Sequence, residues 1–252
     1  MADPPTEAGV AKAIKRLYRG KTPGADSIPA KIYAAGGPTL IECLTSFFAT
    51  IWTQGKLPQE LKDASIIHLY KRKGSRNSCD NHRGISLLSI AGKTLARVML
   101  NRLNAHLEHD VLPESQCGFR AGRGTADTIF AAHQQQEKFQ EHNVGLYTTF
   151  VDLTKAFDNV CRDELCKTMA KFGCPTRFIE MVRQVHDGMY ARVQDDRKCS
   201  KPFPVTNGVK QGCVLAPALF SMVFSAMLSD AFRDVDVGVR FRYHTDGSLF
   251  NL

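Results

Sequence analysis

The segment FVDLTKAFDNV carries residue types suited to metal and phosphate chemistry. The run 144–152 predicts a β-strand that ends at Asp152, and Phe157 and Asp158 follow in a predicted turn. A carboxylate fixed at a strand end suits Mg²⁺, which needs only one or two protein carboxylates beside substrate phosphates. The same aspartate could serve as a helix N-cap, so this segment alone leaves both roles open. In two-metal phosphoryl transfer, a second carboxylate would have to come from elsewhere in the chain.

A second segment, NGVKQGCVLAPALF at 207–220, places glycines on both sides of Lys210 and Gln211, ahead of a helix that begins near Pro217. Glycines permit close backbone approach to a ligand, and a helix N-terminus favours anions. A β-turn leading into a core helix explains the same residues. Both interpretations remain open on this segment alone.

Composition narrows the class of protein. The 33 Lys and Arg residues outnumber the 25 Asp and Glu residues, which favours a polyanionic partner such as nucleic acid or an acidic membrane surface. The eight cysteines form no CxxC pair and the eight histidines no ligand pattern, so neither a zinc site nor a disulfide framework is indicated. The N-terminus lacks a signal-peptide pattern. The apolar run 213–228 is too short for a membrane span and predicts a buried core helix.

The secondary-structure elements that must position these segments are predicted from the spacing of apolar residues and from the positions of Gly and Pro. The patterns predict helices and strands in series, typical of an α+β domain. A basic loop or hairpin, KRKGSRNSCDNHRG, follows the strand predicted at 64–70. The predicted helices are 8–19, one from about Leu40 to Gly55, 90–107, one from Thr125, 165–172, 178–186 and 217–232; further predicted strands are 189–194 and 237–243.

Five blocks in order identify a resemblance: TPGADSIPAKIY, NHRGISLLSIAGK, QCGFRAGRGTADTIF, FVDLTKAFDNV and NGVKQGCVLAPALF. Together they resemble the successive sequence blocks of a reverse transcriptase of the LINE (non-LTR retrotransposon) kind, over roughly residues 8–252. The resemblance implies a right-hand polymerase with fingers and a partial palm. It places a lead-in helix at 1–20, a fingers-like region with partial palm at 21–143 and a palm-like region at 144–252.

The resemblance also implies roles for individual residues. Asp152 is similar to the family's first catalytic, metal-binding aspartate, with the Leu153 carbonyl as a further Mg²⁺ ligand. Phe157 resembles the aromatic residue under the sugar of the incoming nucleotide, and Asp158 fits a structural or capping position. The remaining assignments are triphosphate binding by Lys71 and Arg83, nucleotide contact by Gln211 and Gly212, template binding by Arg120, and a core position for Phe119.

The family's second carboxylate motif, a hairpin written as aromatic, any residue, Asp, Asp, does not occur in this sequence. The nearest tetrapeptide, YHTD at 243–246, has Thr245 in place of the first aspartate, and a hydroxyl cannot supply that charge to Mg²⁺. We therefore expect a chain truncated before the catalytic hairpin, without a thumb, that does not polymerise DNA by itself. The complete element would use an RNA template, a DNA primer and dNTPs, and would enter the nucleus.

Three alternatives to a partial polymerase remain. A group II intron reverse transcriptase or maturase is disfavoured, because DLTKAFD and NHRGISLL are LINE-like and no maturase RNA-binding extension is evident. A non-catalytic nucleic-acid-binding fragment would use the basic residues of 71–83 on phosphates. An unselected relic without function would fold poorly.

Overall fold

A computed structural model describes residues 1–18, 20, 22–108, 112–120, 122–195, 198–233, 240–242 and 249–251. The helices are α1 (Glu7–Lys15), α2 (Ala30–Ala35), α3 (Gly37–Gln54), α4 (Gln59–Lys62), α5 (Ile90–Leu107), α6 (Thr125–Glu141), α7 (Arg162–Lys171), α8 (Thr176–His186) and α9 (Ala216–Ala231). The strands are β1 (Ala64–Tyr70), β2 (His82–Leu87), β3 (Tyr190–Asp195), β4 (Lys198–Cys199), β5 (Phe203–Pro204), β6 (Arg240–Arg242) and β7 (Leu249–Asn251). The predicted α+β class is confirmed.

Local chemistry explains where the main helices begin and end. The Thr6 side chain accepts a hydrogen bond from the Gly9 amide at the start of α1, and Ser89 does the same for Gly92 at the start of α5. Gly55 ends α3 in the left-handed conformation with φ of 70°. These short-range signals were readable in the sequence, so the predicted bounds of α3, α5 and α9 are confirmed to within a few residues.

One apolar core holds the helices together. Most of its largest fully buried side chains come from α3, α5, α7, α8 and α9, and they include Trp52, Met99, Phe178 and Leu219. The predicted core helix over 213–228 is confirmed, since α9 buries one face in this cluster. Among the described residues, no helix is both long and apolar enough to cross a bilayer.

The main sheet places β1 at its centre. Antiparallel β2 pairs with one edge of β1 and parallel β3 with the other, while β4 and β5 pair with β3. The sheet therefore joins strands from residues 64–87 with strands from residues 190–204. Strand β2 was not predicted, because HRGISL lacks a clear alternation of apolar and polar residues.

The structure corrects several expectations. The predicted strand at 144–152 does not form: no described strand pairs with it, and Tyr147 and Phe150 are 98% and 91% exposed. A strand needs a hydrogen-bonding neighbour, which sequence alternation cannot supply. Helix α1 stops at Lys15 rather than residue 19, and α2 forms inside a segment expected to be a loop. The YHTD tetrapeptide and most of the predicted strand 237–243 lie outside the described residues.

Candidate active site

A wide cleft opens on one face of the main sheet. Its floor is Ile66 and His68 of β1, Gly84 of β2 and Val193 of β3. Its walls are the 71–83 hairpin on one side and the 152–158 segment on the other. The cavity volume is about 1120 Å³ and the cleft is open to solvent, which puts it just above the roughly 300–1,000 Å³ of a small-molecule pocket. A cleft of this size can hold a small substrate together with part of a longer bound molecule.

Six residues singled out from the sequence line this one cleft. They come from three of the five blocks and from the basic loop at 71–83: Lys71, Arg83, Asp152, Leu153, Phe157 and Gln211. Gly212 adjoins them, packed on the backbone of β2. Arg120 is not among the residues that line the cleft.

The basic wall is a hairpin braced by its own backbone. The Lys71 amide donates to the Asn81 carbonyl at 2.8 Å, and the Lys71 ammonium donates to the Asp80 carbonyl at 2.8 Å. The Tyr70 hydroxyl closes the tip by donating to the Gly74 carbonyl at 2.5 Å. The exposed Arg83 guanidinium forms no hydrogen bond or ion pair with the residues that the structure describes. The hairpin predicted here is confirmed, and it leaves Arg83 available to an anion.

The acidic wall is the segment that carries Asp152. Asp152 is exposed, and within the described part of the chain its carboxylate forms no hydrogen bond or ion pair. The turn after it is fixed by the Asp158 and Asn159 amides, which both donate to the Lys155 carbonyl at 3.0 and 3.1 Å. Lys155 reaches across the cleft to Asp80 at 3.8 Å, an exposed ion pair that joins the two walls weakly.

Phe157 is held from both sides at the base of this wall. Its ring centroid lies 5.2 Å from that of Phe220 in α9 and 6.3 Å from that of Phe119. Phe119 itself is 62% exposed with φ of 58°, so its predicted core position is wrong. The positive φ turns this side chain out of the core, a backbone conformation that residue type does not reveal.

The 207–213 loop ties the walls to the sheet. The Val209 amide donates to the Phe157 carbonyl at 2.9 Å, and the Gln211 carbonyl accepts from the Ser86 amide at 2.7 Å. A methyl group added at Gly212 would lie 2.6 Å from the Ser86 carbonyl oxygen, and one added at Gly208 would lie 2.6 Å from the Asp158 carbonyl oxygen. Both glycines therefore permit backbone to approach backbone, a purpose that the sequence did not reveal.

Lys210 does not face a ligand. Its side chain is buried, and its ammonium donates to the Lys62 carbonyl at 2.5 Å. Burial, with a smaller contribution from the charges of Arg162 and Lys62, lowers the pKa of Lys210 to about 8, although Cys213 and Asp63 oppose the shift. The interpretation of this segment as an anion-binding loop therefore does not extend to Lys210.

Arg162 is a positioning residue that sequence reasoning missed. Its guanidinium donates to the carbonyls of Val205, Asn207 and Gly208 at 3.0–3.1 Å and pairs with Asp187 at 3.4 Å. Burial lowers the pKa of Arg162, with Asp187 opposing the shift. No local motif marks this arginine, since its partners lie 25 to 46 residues away.

Arg120 contacts a different group of residues, at 113–114. Its side chain is 12% exposed, donates to the Pro113 carbonyl at 3.1 Å and pairs with Glu114 at 3.4 Å. Glu114 also pairs with Arg123. The structure thus brings Lys71, Arg83 and Asp152 together and leaves Arg120 apart from them.

The cleft lies almost entirely within a region that matches a known family. Residues 70–240 match the model of the reverse transcriptase (RNA-dependent DNA polymerase) family. The chain belongs to the reverse transcriptase family. The resemblance to retrotransposon enzymes drawn from the five blocks is therefore confirmed.

Curated relatives agree with this assignment. The chain is 30% identical over 220 residues to a probable RNA-directed DNA polymerase from transposon BS of Drosophila melanogaster, covering 87% of this chain and 24% of the relative. It is 30% identical over 224 residues to the RNA-directed DNA polymerase from mobile element jockey of the same species, covering 86% and 24%. A Pol polyprotein from retrotransposable element R2DM is 28% identical over 213 residues, covering 84% and 20%. The chain thus spans about a quarter or less of the length of these relatives.

Proposed function

We propose that the cleft binds a deoxynucleoside triphosphate together with a divalent cation, as part of an RNA-directed DNA polymerase. One observation carries the proposal: residues from three of the five sequence blocks and from the basic loop, chosen for phosphate, metal and sugar contacts, line a single cleft.

The triphosphate would lie against the basic wall. Lys71 and Arg83 are both exposed there, and Lys73 and Arg76 line the same wall. Hydrogen bonds between cations and phosphate oxygens are short and strong, and a guanidinium can form two at once. Arg83 has the freer side chain, so it should contribute more to affinity than Lys71, whose ammonium already binds the Asp80 carbonyl.

The donor set at the acidic wall fits one Mg²⁺. The carboxylate of Asp152 is exposed and unpaired within the described part of the chain, and the Leu153 carbonyl follows it. Mg²⁺ takes hard oxygen ligands and completes its shell with water and substrate phosphates. When bound, the cation would neutralise charge on the phosphates. No group of three or more His, Cys, Asp or Glu side chains suited to a metal occurs among the described residues, so phosphate oxygens would have to complete the site.

Phe157 would support the sugar of the nucleotide. Its ring packs on Phe220 of α9 at 5.2 Å, with the exposed Phe119 at 6.3 Å on the other side, so moving it aside would disturb the contact with Phe220. A rigid ring under C2′ would clash with a 2′-hydroxyl, which favours deoxynucleotides. Gln211 and Gly212 would contact the same nucleotide from the loop that is bonded to Ser86.

The larger assignment follows the family. We assign 1–20 as a lead-in helix, 21–143 as fingers with part of the palm, and 144–252 as palm. The main sheet takes strands from both of the latter regions, which supports a shared platform under the cleft. The names of the first two relatives above include the term RNA-directed DNA polymerase. We propose that activity for the complete protein, with an RNA template, a DNA primer and action in the nucleus.

We further propose that this 252-residue chain binds nucleotide without extending a primer. Two-metal phosphoryl transfer uses carboxylates from more than one element, and the aromatic, any residue, Asp, Asp motif is absent from the sequence. Asp152 would then be a nucleotide and metal ligand whose catalytic partner this sequence does not supply. The template role of Arg120 remains a prediction.

Nucleotide binding is tested by titrating the chain with a fluorescent dTTP analogue in the presence and absence of Mg²⁺. We expect saturable binding that depends on Mg²⁺, and an affinity lowered about tenfold in Asp152→Asn or Arg83→Ala, from the loss of a charge-assisted contact. Asp230→Asn is the matched control, because Asp230 lies on α9, pairs with Arg233 and does not line the cleft. Equal affinity in Asp152→Asn and the unaltered chain would disprove the metal assignment.

Primer extension on poly(rA)/oligo(dT) with Mg²⁺ and dTTP tests the second proposal. We expect no incorporation by the chain alone. Incorporation that is lost in Asp152→Asn would contradict the proposed inactivity while supporting the nucleotide site. Salt-sensitive binding of RNA without any nucleotide binding would instead favour the non-catalytic alternative, for which the exposed basic hairpin is the supporting observation.

A further inference from the structure

One ion pair crosses the cleft between its two walls. The Lys155 ammonium lies 3.8 Å from the Asp80 carboxylate, and both residues line the cleft. The two side chains are 64% and 85% exposed, so a solute that enters the cleft can reach both of them. Neither side chain has a role in the nucleotide site proposed above.

The Lys155 side chain projects from a fixed backbone. The Lys155 carbonyl accepts hydrogen bonds from the Asp158 and Asn159 amides, and the φ of Lys155, 52°, lies in the left-handed region. A residue other than glycine keeps this conformation only where its surroundings hold it there. The turn therefore fixes the start of this side chain between Asp152 and Phe157, the residues proposed above to bind the metal and to support the sugar.

Asp80 is an anion in a cationic segment. The segment 71–83 holds five Lys and Arg residues and no other Asp or Glu. The Asp80 carbonyl accepts a hydrogen bond from the Lys71 ammonium at 2.8 Å, which places Asp80 beside a residue proposed to bind the triphosphate. Among the described residues, Lys155 is the one cation within ion-pair distance of the Asp80 carboxylate. A carboxylate at this position repels a phosphate, so it lowers the affinity of the basic wall for the anion.

The contact between Lys155 and Asp80 is suited to exchange. An exposed pair with its atoms 3.8 Å apart is weakly held, because water screens the attraction and both side chains lose freedom in forming it. A phosphate group offers several charged oxygens, and hydrogen bonds from an ammonium to such oxygens are among the stronger ones in proteins. A polyphosphate in the cleft can therefore replace the carboxylate as the partner of Lys155.

We propose that Lys155 binds a phosphate of the nucleotide, and that Asp80 competes with that phosphate for the Lys155 ammonium. This inference rests on the proposed function, because it requires the triphosphate to lie between the two walls. In the free chain Asp80 neutralises Lys155. In the complex Lys155 pairs with a phosphate oxygen and Asp80 turns to solvent. Asp80 thus lowers the affinity of the cleft for polyphosphates, and removing its charge should raise that affinity.

A double-mutant cycle tests the competition. Titration with the fluorescent dTTP analogue in excess Mg²⁺ compares the unaltered chain with Asp80→Asn, Lys155→Gln and the double variant. We expect about fivefold weaker binding in Lys155→Gln and about threefold tighter binding in Asp80→Asn, sizes typical of single exposed charges. In the Lys155→Gln background, Asp80→Asn should raise the affinity by much less, because the carboxylate no longer has a cation to withhold. Simple repulsion between Asp80 and the phosphates would give the same gain in both backgrounds.

A second exposed ion pair supplies the matched controls. Lys167 pairs with Glu164 at 2.7 Å on α7, and neither residue lines the cleft. Lys167→Gln and Glu164→Gln should leave the affinity for the dTTP analogue unchanged. Circular dichroism checks that each variant is folded.

Two outcomes would overturn the proposal in a chain that binds the analogue. One is equal affinity of Lys155→Gln and the unaltered chain, and the other is the same gain from Asp80→Asn with and without Lys155. Asp152→Asn separates this failure from failure of the nucleotide site. If Asp152→Asn weakens binding while the cycle shows no coupling, the nucleotide site stands and only the competition is wrong. A chain that binds no analogue at all would overturn both.

Discussion

The two walls of the cleft are built differently. The basic wall continues the β1–β2 ladder, and the 207–213 loop, packed against β2, is bonded to Ser86, to the 157–160 turn and to Arg162. The segment 144–153, which carries Asp152, pairs with no described strand and exposes Tyr147 and Phe150. The phosphate-facing side of the cleft is therefore preorganised, while the metal-facing carboxylate depends mainly on the turn that follows it. Preorganisation in this site comes from backbone contacts distant in sequence rather than from the residues that would touch the ligand.

The largest expected effect contrasts a glycine from each region. Gly212→Ala should lower the free energy of unfolding by about 2–4 kcal/mol, because the new methyl group would meet the Ser86 carbonyl at 2.6 Å and φ is 118°. Gly145→Ala should change it by less than about 0.5 kcal/mol, since no atom of the described residues lies within 4 Å of the added methyl group. Urea denaturation of both variants measures the difference. Equal effects would show that the walls are equally constrained.

The next largest effect is expected for Arg162→Ala, which should lower the free energy of unfolding by about 2–3 kcal/mol. Three carbonyls and Asp187 lose the guanidinium that donates to all of them. Nucleotide affinity should fall with stability, since the loop that carries Gln211 loses its anchor. Arg162→Lys should recover only part of the loss, because an ammonium cannot reproduce the guanidinium fork. Full recovery in the lysine variant would mean that charge, rather than geometry, fixes the loop.

A smaller effect is the pH dependence that comes from Lys210. Its folded-state pKa of about 8 lies below the ordinary value of 10.5, so the unfolded chain binds more protons between these limits. Stability contributed by Lys210 should therefore rise as the pH increases from 8 to 10.5. Denaturation curves for the unaltered chain and Lys210→Met, compared at each pH, isolate this contribution from that of the buried thiols. A constant difference between the two curves would contradict the burial of the ammonium.

The smallest effect is expected in the unpaired segment. Phe150→Ser should change the free energy of unfolding by less than about 0.5 kcal/mol, because the ring is 91% exposed. Phe178→Ser, in the core, is the contrasting variant and should cost at least about 3 kcal/mol. A large loss in Phe150→Ser would show that the 144–153 segment is packed in solution, and would narrow the contrast between the walls.

The sequence by itself determined the family, the α+β class, the bounds of helices such as α3 and α5, and the identity of six cleft residues. These depend on short-range signals: a serine cap on α5, a left-handed glycine after α3, and blocks of a few residues each. The tertiary structure alone decided that Gly208 and Gly212 permit backbone to pack on backbone, that Lys210 is buried and that Arg162 holds the loop. It also decided that 144–153 has no strand partner among the described residues. Such outcomes depend on contacts between residues as far as 148 apart in the chain, which no local pattern encodes.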